Sequence, residues 1–277
     1  MSIWAEKEDS MSDSVELYYQ DSSRQDSDGQ DGVPLIVMHG LFGSADNWRS
    51  HVKQWQRKRR VISVDLRNHG RSPHAEKMDY AVMAQDVIAL LDKLEIERCD
   101  LLGHSMGGKV AITVARLAPE RLSSLIVADI APVAYGHDHD SVFAALRRVV
   151  EGEPTSRKEA DALMAEVVET PAVRMFLATN LVRDDEGVMR LRVGLDEIEA
   201  AYDNIIAEPA GEGVYEGPTL VLRGANSGYV SDEFVPPLKK VLPSAEIETL
   251  DAGHWLHAEA PKAFRQAVND FLEGQPD

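Results

Sequence analysis

The chain has 277 residues, 44% of them hydrophobic, and a formal net charge of −18 at pH 7. This length suffices for one large α/β domain with an insertion, or for two small domains. The strong negative charge argues against nucleic acid and anionic membrane surfaces as partners, because phosphate binding requires a clustered positive field. No apolar run approaches the roughly 18 residues of a membrane span, so the composition indicates a soluble globular protein.

The chain begins with a polar, acidic segment, 1–14, without the basic start and apolar stretch of a secretory signal. We therefore expect a polar N-terminal tail and a cytoplasmic location. The single Cys99 cannot form an internal disulfide, and its apolar neighbours favour a buried strand thiol with no catalytic role.

Short apolar runs alternate with helical patterns along most of the chain. An edge strand is predicted at 15–19, followed by a polar turn at 21–32. The predicted core strands are continuous apolar runs, as expected for strands that are buried on both faces: 33–38, 61–64, 100–102, 125–128, 219–222 and 247–250. The predicted core helices have apolar residues at helical spacing: 80–94, 106–117 and 261–272. This alternation predicts an α/β fold with a mostly parallel, doubly wound sheet.

The alternation stops after Ile130, and residues 134–212 contain no convincing strand pattern. Proline residues at 154, 171 and 209 bound the helices that are predicted there: 142–150, 158–168, 173–181 and 195–206. We interpret 134–212 as a helical cap inserted into the core. The core then consists of two parts, 15–133 and 213–277.

The motif GHSMG at 103–107 follows a predicted strand and opens a predicted helix. In this context a G-x-S-x-G sequence is typical of a sharp turn that raises a serine hydroxyl above the carboxyl edge of the sheet. Small residues on either side leave room for the strained serine backbone. Ser105 is therefore the candidate nucleophile. A chance motif in a glycine-rich loop is the alternative, which the flanking strand and helix disfavour.

A serine hydroxyl needs a base that takes its proton. In the hydrolase chain order of serine, acid and histidine, the base comes late, and His254 follows the last predicted strand. His257 is the nearest rival, but it falls in the next helical turn and is predicted to be structural. The run 138–140, Asp-His-Asp, is a conceivable metal site, but no matching ligand set appears elsewhere in the sequence, and a solvated entry to the cap is the favoured interpretation.

Two backbone N–H groups are candidates for an oxyanion hole. The N–H of Met106 lies at the start of the predicted helix, where the helix dipole favours negative charge. The N–H of Leu41 lies in the loop after the first core strand, between Gly40 and Gly43. These glycines let the backbone approach a substrate closely.

Five motifs together resemble the α/β-hydrolase superfamily and, within it, the bacterial YbfF group of serine esterases. They are HGLFGS at 39–44, DLRNHGRS at 65–72, GHSMGGK at 103–109, DIAP at 129–132 and GHWLHAE at 253–259. The motifs cover both ends of the predicted core, and the predicted cap matches only loosely. The resemblance implies hydrolysis of carboxylic esters, with acyl thioesters as further substrates, and no cofactor or metal.

Many members of the superfamily place the triad acid in a Gly-x-x-Asp sequence after the strand that is 219–222 here. This chain has Gly-Ala-Asn-Ser at 224–227, so Ser227 stands where the carboxylate is expected. The run 224–230 resembles the same esterase group, in which the strand before the cap supplies the acid. Asp129 ends such a strand and is the candidate acid, with Ser227 as a fourth member of the site. Two alternatives stay open: Asp129 only ties down its turn, or Asp232 is the acid.

Other chemistry on the same fold is also open at this point. C–C bond hydrolases and cofactor-free haloperoxidases present serine and histidine in the same way, and a ligand receptor can keep the pocket without turnover. Ser105 excludes dehalogenase and epoxide-hydrolase chemistry, because both need a carboxylate nucleophile. The expected ligand is a small-molecule ester or acyl thioester, and the sequence does not indicate an oligomeric state.

Overall fold

A computed structural model describes residues 13–22 and 32–275. Its central feature is a seven-stranded sheet with the strand order β1-β3-β2-β4-β5-β8-β9, in which only β1 runs antiparallel to its neighbour. The strands are β1 (Tyr19–Asp21), β2 (Leu35–Met38), β3 (Val61–Val64), β4 (Cys99–His104), β5 (Leu122–Ala128), β8 (Thr219–Gly224) and β9 (Ala245–Leu250). The predicted mostly parallel α/β sheet is confirmed.

Helices cover both faces of this sheet. Successive residues of β2 belong to different apolar clusters: Ile36 and Met38 pack on one face, and Leu35 and Val37 pack on the other. Strands that are buried on both faces read as continuous apolar runs, which explains the sequence pattern. The core helices are α1 (Arg49–Trp55), α2 (Tyr80–Lys93), α3 (Met106–Leu117), α9 (Val235–Val241), α10 (Leu256–Glu259) and α11 (Pro261–Glu273).

The segment between β5 and β8 contains most of the differences from the predictions. Its helices are α4 (Asp140–Gly152), α5 (Arg157–Ala165), α6 (Pro171–Leu177), α7 (Leu195–Ala200) and α8 (Tyr202–Ile206). The helix predicted at 173–181 ends four residues earlier, and the one predicted at 195–206 is interrupted at Ala201.

The described residues also contain four short 3₁₀ turns: Ala45–Trp48, Pro119–Arg121, Ala178–Asn180 and Asp232–Phe234.

The expectation that this segment lacks strands was wrong. It contains an antiparallel hairpin of β6 (Leu181–Arg183) and β7 (Met189–Leu191). The hairpin closes through Asp184, whose carboxylate accepts the N–H groups of Glu186 and Val188, and through Gly187, which has φ of +87°. A loop of three to five residues that contains glycine is a hairpin signal, but three-residue strands are too short for a clear alternation. The exact division into core and cap, 134–212, stays a prediction.

The edge strand is also displaced, from the predicted 15–19 to Tyr19–Asp21. The cause lies in contacts between distant parts of the chain, because the N–H groups of Val15 and Tyr18 donate to the side chains of Asp86 and Ser72 rather than to a strand. Most of the predicted tail, 1–14, and of the predicted turn, 21–32, lies outside the described residues. Within the described part of the chain, no helix is both long enough and apolar enough to cross a membrane.

The parallel register places the carboxyl ends of the strands, which carry the candidate site residues, at one edge of the sheet. His104, the last residue of β4, pairs with Ala128, and Ala128 pairs with Leu222 of β8. The next residues along these strands, Ser105 and Asp129, therefore emerge side by side. Ligands of open parallel sheets bind outside the carboxyl ends of the strands.

Candidate active site

Ser105 lies in the sharp turn between β4 and α3, with φ of +52° and ψ of −119°. This is a conformation that a residue with a side chain rarely adopts, and tight surroundings maintain it. A Cβ at Gly103 would lie 2.1 Å from the carbonyl oxygen of Gly107, and a Cβ at Gly107 would lie 2.5 Å from the carbonyl oxygen of His39. Only glycine fits at these two positions, so the motif is a packing requirement of the turn.

His254 follows β9 in a short loop and joins the serine to a carboxylate. Its Nε2 lies 3.0 Å from Ser105 Oγ, and its Nδ1 lies 2.7 Å from Asp129 Oδ2. With the proton on Nδ1, Nε2 is free to accept the serine proton. A carboxylate in this position can fix this tautomer and can stabilise an imidazolium that forms when a proton is transferred to the ring.

Asp129 is fully buried and has φ of +52°. Its Oδ1 accepts the N–H of Gly224 at 2.9 Å, while Oδ2 accepts both His254 Nδ1–H and the hydroxyl of Ser227. The carboxylate of β5 thus reaches across to the end of β8, where Ser227 follows Gly224. The four predicted residues, Ser105, His254, Asp129 and Ser227, form one hydrogen-bonded chain.

Asp232 lies apart from this chain. Its carboxylate pairs with Arg223 at 2.7 Å, and its side chain is 92% exposed. An exposed carboxylate that is already paired to a guanidinium does not orient His254, so the geometry places the rival acid outside the site.

The loop 39–44 forms the opposite wall of the site. Phe42 has φ of +60°, its N–H donates to His69 Nε2 at 3.1 Å, and the N–H of Gly43 donates to the carbonyl of Gly40. Both N–H groups therefore already donate hydrogen bonds within the protein. Leu41, the predicted oxyanion donor, lines the cavities beside Ser105, and Met106 lines one of them.

Two buried histidines hold this loop as neutral rings. Burial lowers the pKa of His69 to about 3 and that of His39 to about 4, so each ring keeps a nitrogen that can accept a hydrogen bond at neutral pH. His39 Nε2 accepts the N–H of Leu66, and His69 Nε2 accepts that of Phe42. Asp65 adds two more bonds, from the N–H groups of Ala45 and Arg71. The motif at 65–72 is therefore the support of the loop 39–44.

Two further residues around His254 have no role in the sequence predictions. The carboxylate of Glu259 accepts the N–H groups of Gly253 and Trp255, the two neighbours of the histidine. The ring of Tyr229 stacks on the imidazole of His254 with 4.1 Å between the centroids and an angle of 29°. Both residues lie in motifs that the sequence analysis identified, Glu259 in 253–259 and Tyr229 in 224–230. The spacing of residues along the chain does not reveal these contacts with the His254 loop and ring.

The chain resembles known proteins in both sequence and structure. The model of the alpha/beta hydrolase fold family matches residues 33–261. The chain belongs to this family. Among its relatives, the sn-1-specific diacylglycerol lipase ABHD11 of Xenopus tropicalis is 39% identical over 253 residues, which cover 87% of this chain and 78% of the relative.

Two esterases are also similar to this chain. Esterase YbfF of Escherichia coli is 36% identical over 244 residues, which cover 86% of this chain and 92% of the relative. A solved structure described as a marine microorganism esterase has a TM-score of 0.87 and 37% identity, and the match covers 93% of this chain and all of that one. The resemblance to the α/β-hydrolase superfamily and its YbfF group is confirmed.

The other candidate residues, His257 and Cys99, are buried and have structural rather than catalytic positions. The His257 ring is buried 4.6 Å from the ring of His104 and 4.8 Å from that of Trp48, and burial lowers its pKa to about 3. Cys99 is buried in β4, where burial raises the pKa of its thiol. Among the described residues, no group of three or more His, Cys, Asp or Glu side chains is placed to hold a metal ion.

Replacing Glu259 with alanine is expected to lower turnover by roughly ten- to a hundredfold, because the loop that carries His254 loses both anchoring hydrogen bonds and a small displacement of a catalytic group is costly. The exposed strand residue Glu248 provides the matched control, Glu248→Ala. The measurement is kcat for an aryl acetate, with thermal unfolding of both variants. Equal kcat values in the two variants would show that the Glu259 carboxylate does not position His254.

Proposed function

We propose that this protein is a serine hydrolase that cleaves carboxylic esters through an acyl-enzyme intermediate. The observation that carries the proposal is the chain of hydrogen bonds from Ser105 Oγ through His254 to Asp129 Oδ2, with heavy-atom distances of 3.0 and 2.7 Å. This arrangement activates a hydroxyl that is otherwise a weak nucleophile. The esterase and lipase relatives support the same class of reaction.

In the first half of the reaction, His254 Nε2 takes the proton of Ser105 as Oγ attacks the ester carbonyl carbon. The carbonyl oxygen becomes an oxyanion, which we assign to the N–H groups of Leu41 and Met106. When the intermediate collapses, the bond to the alcohol oxygen breaks, and His254 returns the proton to that oxygen. In the second half, water takes the place of the serine hydroxyl, and the acyl group leaves as a carboxylic acid.

The remaining candidate functions have less support. The relatives described above are esterases and lipases rather than C–C bond hydrolases, haloperoxidases or receptors. Acyl thioesters react by the same steps and stay in the proposal as a second substrate class. The small-molecule ester partner, the cytoplasmic location and the absence of a cofactor also remain predictions.

Replacing Ser105 with alanine is expected to abolish ester hydrolysis while the protein stays folded, because the hydroxyl carries the acyl group and contributes little packing. Residual catalysis from the oxyanion donors and binding is about a thousandfold over water. The measurement is turnover of a short-chain aryl ester together with covalent labelling by a serine-directed phosphonate, read by intact mass. The parent gains one phosphonyl group and the variant none. A variant that keeps the parent's turnover or is labelled to the same extent would remove Ser105 as the nucleophile.

Three substitutions identify the acid. We expect Asp129→Asn to lower turnover at neutral pH by about a thousandfold or more, because His254 loses the charge that holds its tautomer. Ser227→Ala should cause a smaller but clear loss, since Asp129 keeps two of its three hydrogen bonds. Asp232→Asn serves as the control and should change little. A crippled Asp232→Asn beside a normal Asp129→Asn would contradict the assignment.

A further inference from the structure

Two cavities meet at Ser105. The first, the histidine-side cavity, has a volume of about 80 Å³, and its lining includes His254, Trp255 and apolar side chains of α4 and α6: Val142, Val173, Phe176 and Leu177. The second, the tyrosine-side cavity, has a volume of about 40 Å³, and its lining includes Met106, Lys109, Ile206 and four tyrosines: Tyr80, Tyr135, Tyr202 and Tyr229. Among the residues that the structure describes, only Leu41, Ser105 and His139 line both cavities.

The stacked rings of His254 and Tyr229 stand between the two cavities. The centroids are 4.1 Å apart, and each ring lines one cavity only, His254 the first and Tyr229 the second. An ester whose carbonyl carbon lies at Ser105 therefore has one of its two moieties on each side of this pair.

The direction of proton transfer decides which moiety lies where. His254 must deliver its proton to the alcohol oxygen when the acyl-enzyme forms, so this oxygen has to lie within hydrogen-bond reach of Nε2. The alcohol moiety then extends into the cavity that His254 lines. The acyl moiety points the other way, past Met106, whose N–H we assign to the oxyanion hole.

We propose that the histidine-side cavity binds the alcohol moiety and the tyrosine-side cavity binds the acyl moiety, so that the preferred substrates are short-chain acyl esters of apolar alcohols. This inference rests on the proposed function. The expected difference in chain length follows from the two cavities. The histidine-side cavity is the larger of the two, and apolar side chains of α4 and α6 line it, as suits an alkyl chain.

The tyrosine-side cavity has walls that are cross-linked by hydrogen bonds. Tyr80 Oη donates to the carbonyl of Ile205 at 2.6 Å, and Tyr135 Oη donates to the carbonyl of Tyr229 at 2.6 Å. The ammonium of Lys109 donates to the carbonyls of Ile206 and Ala207. Expansion for a longer acyl chain would break these buried bonds, and a donor left unsatisfied is costly.

The test uses the isomers hexyl acetate and ethyl hexanoate, whose identical composition removes hydrophobicity as an explanation, with ethyl acetate as the common reference. In the parent we expect kcat/KM for hexyl acetate to exceed that for ethyl hexanoate by about tenfold or more. Phe176→Ala should lower the ratio of hexyl acetate to ethyl acetate and leave the ratio of ethyl hexanoate to ethyl acetate unchanged. Ile206→Ala, which keeps the backbone carbonyl that Lys109 binds, should raise the second ratio and leave the first.

Met175→Ala is the matched control for Phe176→Ala, because Met175 is its neighbour on α6 and is 71% exposed. It should leave both ratios unchanged. Hydrolysis of the acyl-enzyme gives a second readout: its rate should be the same in Phe176→Ala as in the parent, because the alcohol has left, and should change in Ile206→Ala. The reverse pattern, or no change in either variant, would overturn the assignment of the cavities. A parent that forms no acyl-enzyme would instead refute the proposed function.

Discussion

The Asp129 carboxylate is the point on which the geometry of the site depends. It is fully buried at the end of β5 and accepts hydrogen bonds from three parts of the chain: the Gly224 amide at the end of β8, the Ser227 hydroxyl and the His254 ring. A buried charge is tolerated only when its hydrogen-bonding capacity is satisfied. The same bonds that satisfy Asp129 therefore join two strands of the sheet and orient the histidine that faces Ser105.

The surrounding loops are fixed before any substrate arrives. Neutral, buried His39 and His69 hold the backbone of the loop 39–44, and Glu259 holds both neighbours of His254. Such preorganisation matters because donors that are already aimed at the developing charge need no rearrangement during the reaction. The segment between β5 and β8 contributes as well, since the amide of Asn180 donates to the carbonyl of Phe42 at 2.8 Å and so links the hairpin region to this loop.

The sequence predicted the parallel sheet, α3, Ser105 and His254, because each depends on a local pattern: buried apolar runs, a turn that only small residues permit, and loops after strand ends. The prediction of Asp129 and Ser227 rested in part on the resemblance to the esterase group. The sequence did not predict β6 and β7, whose short strands depend on the turn at Asp184 and Gly187. The sequence also did not predict long-range contacts such as the stacking of Tyr229 on His254. They join residues distant in the chain, and no local periodicity encodes them.

The central claim is that Asp129 holds the Nδ1 proton of His254, and proton NMR tests it directly. A proton shared between a buried carboxylate and an imidazole nitrogen resonates far downfield of other amide and ring protons. The account predicts such a resonance in the parent and in Asp232→Asn, and its loss or strong upfield shift in Asp129→Asn, with the fold unchanged by circular dichroism. Persistence of the resonance in folded Asp129→Asn, with its loss in Asp232→Asn, would contradict the account.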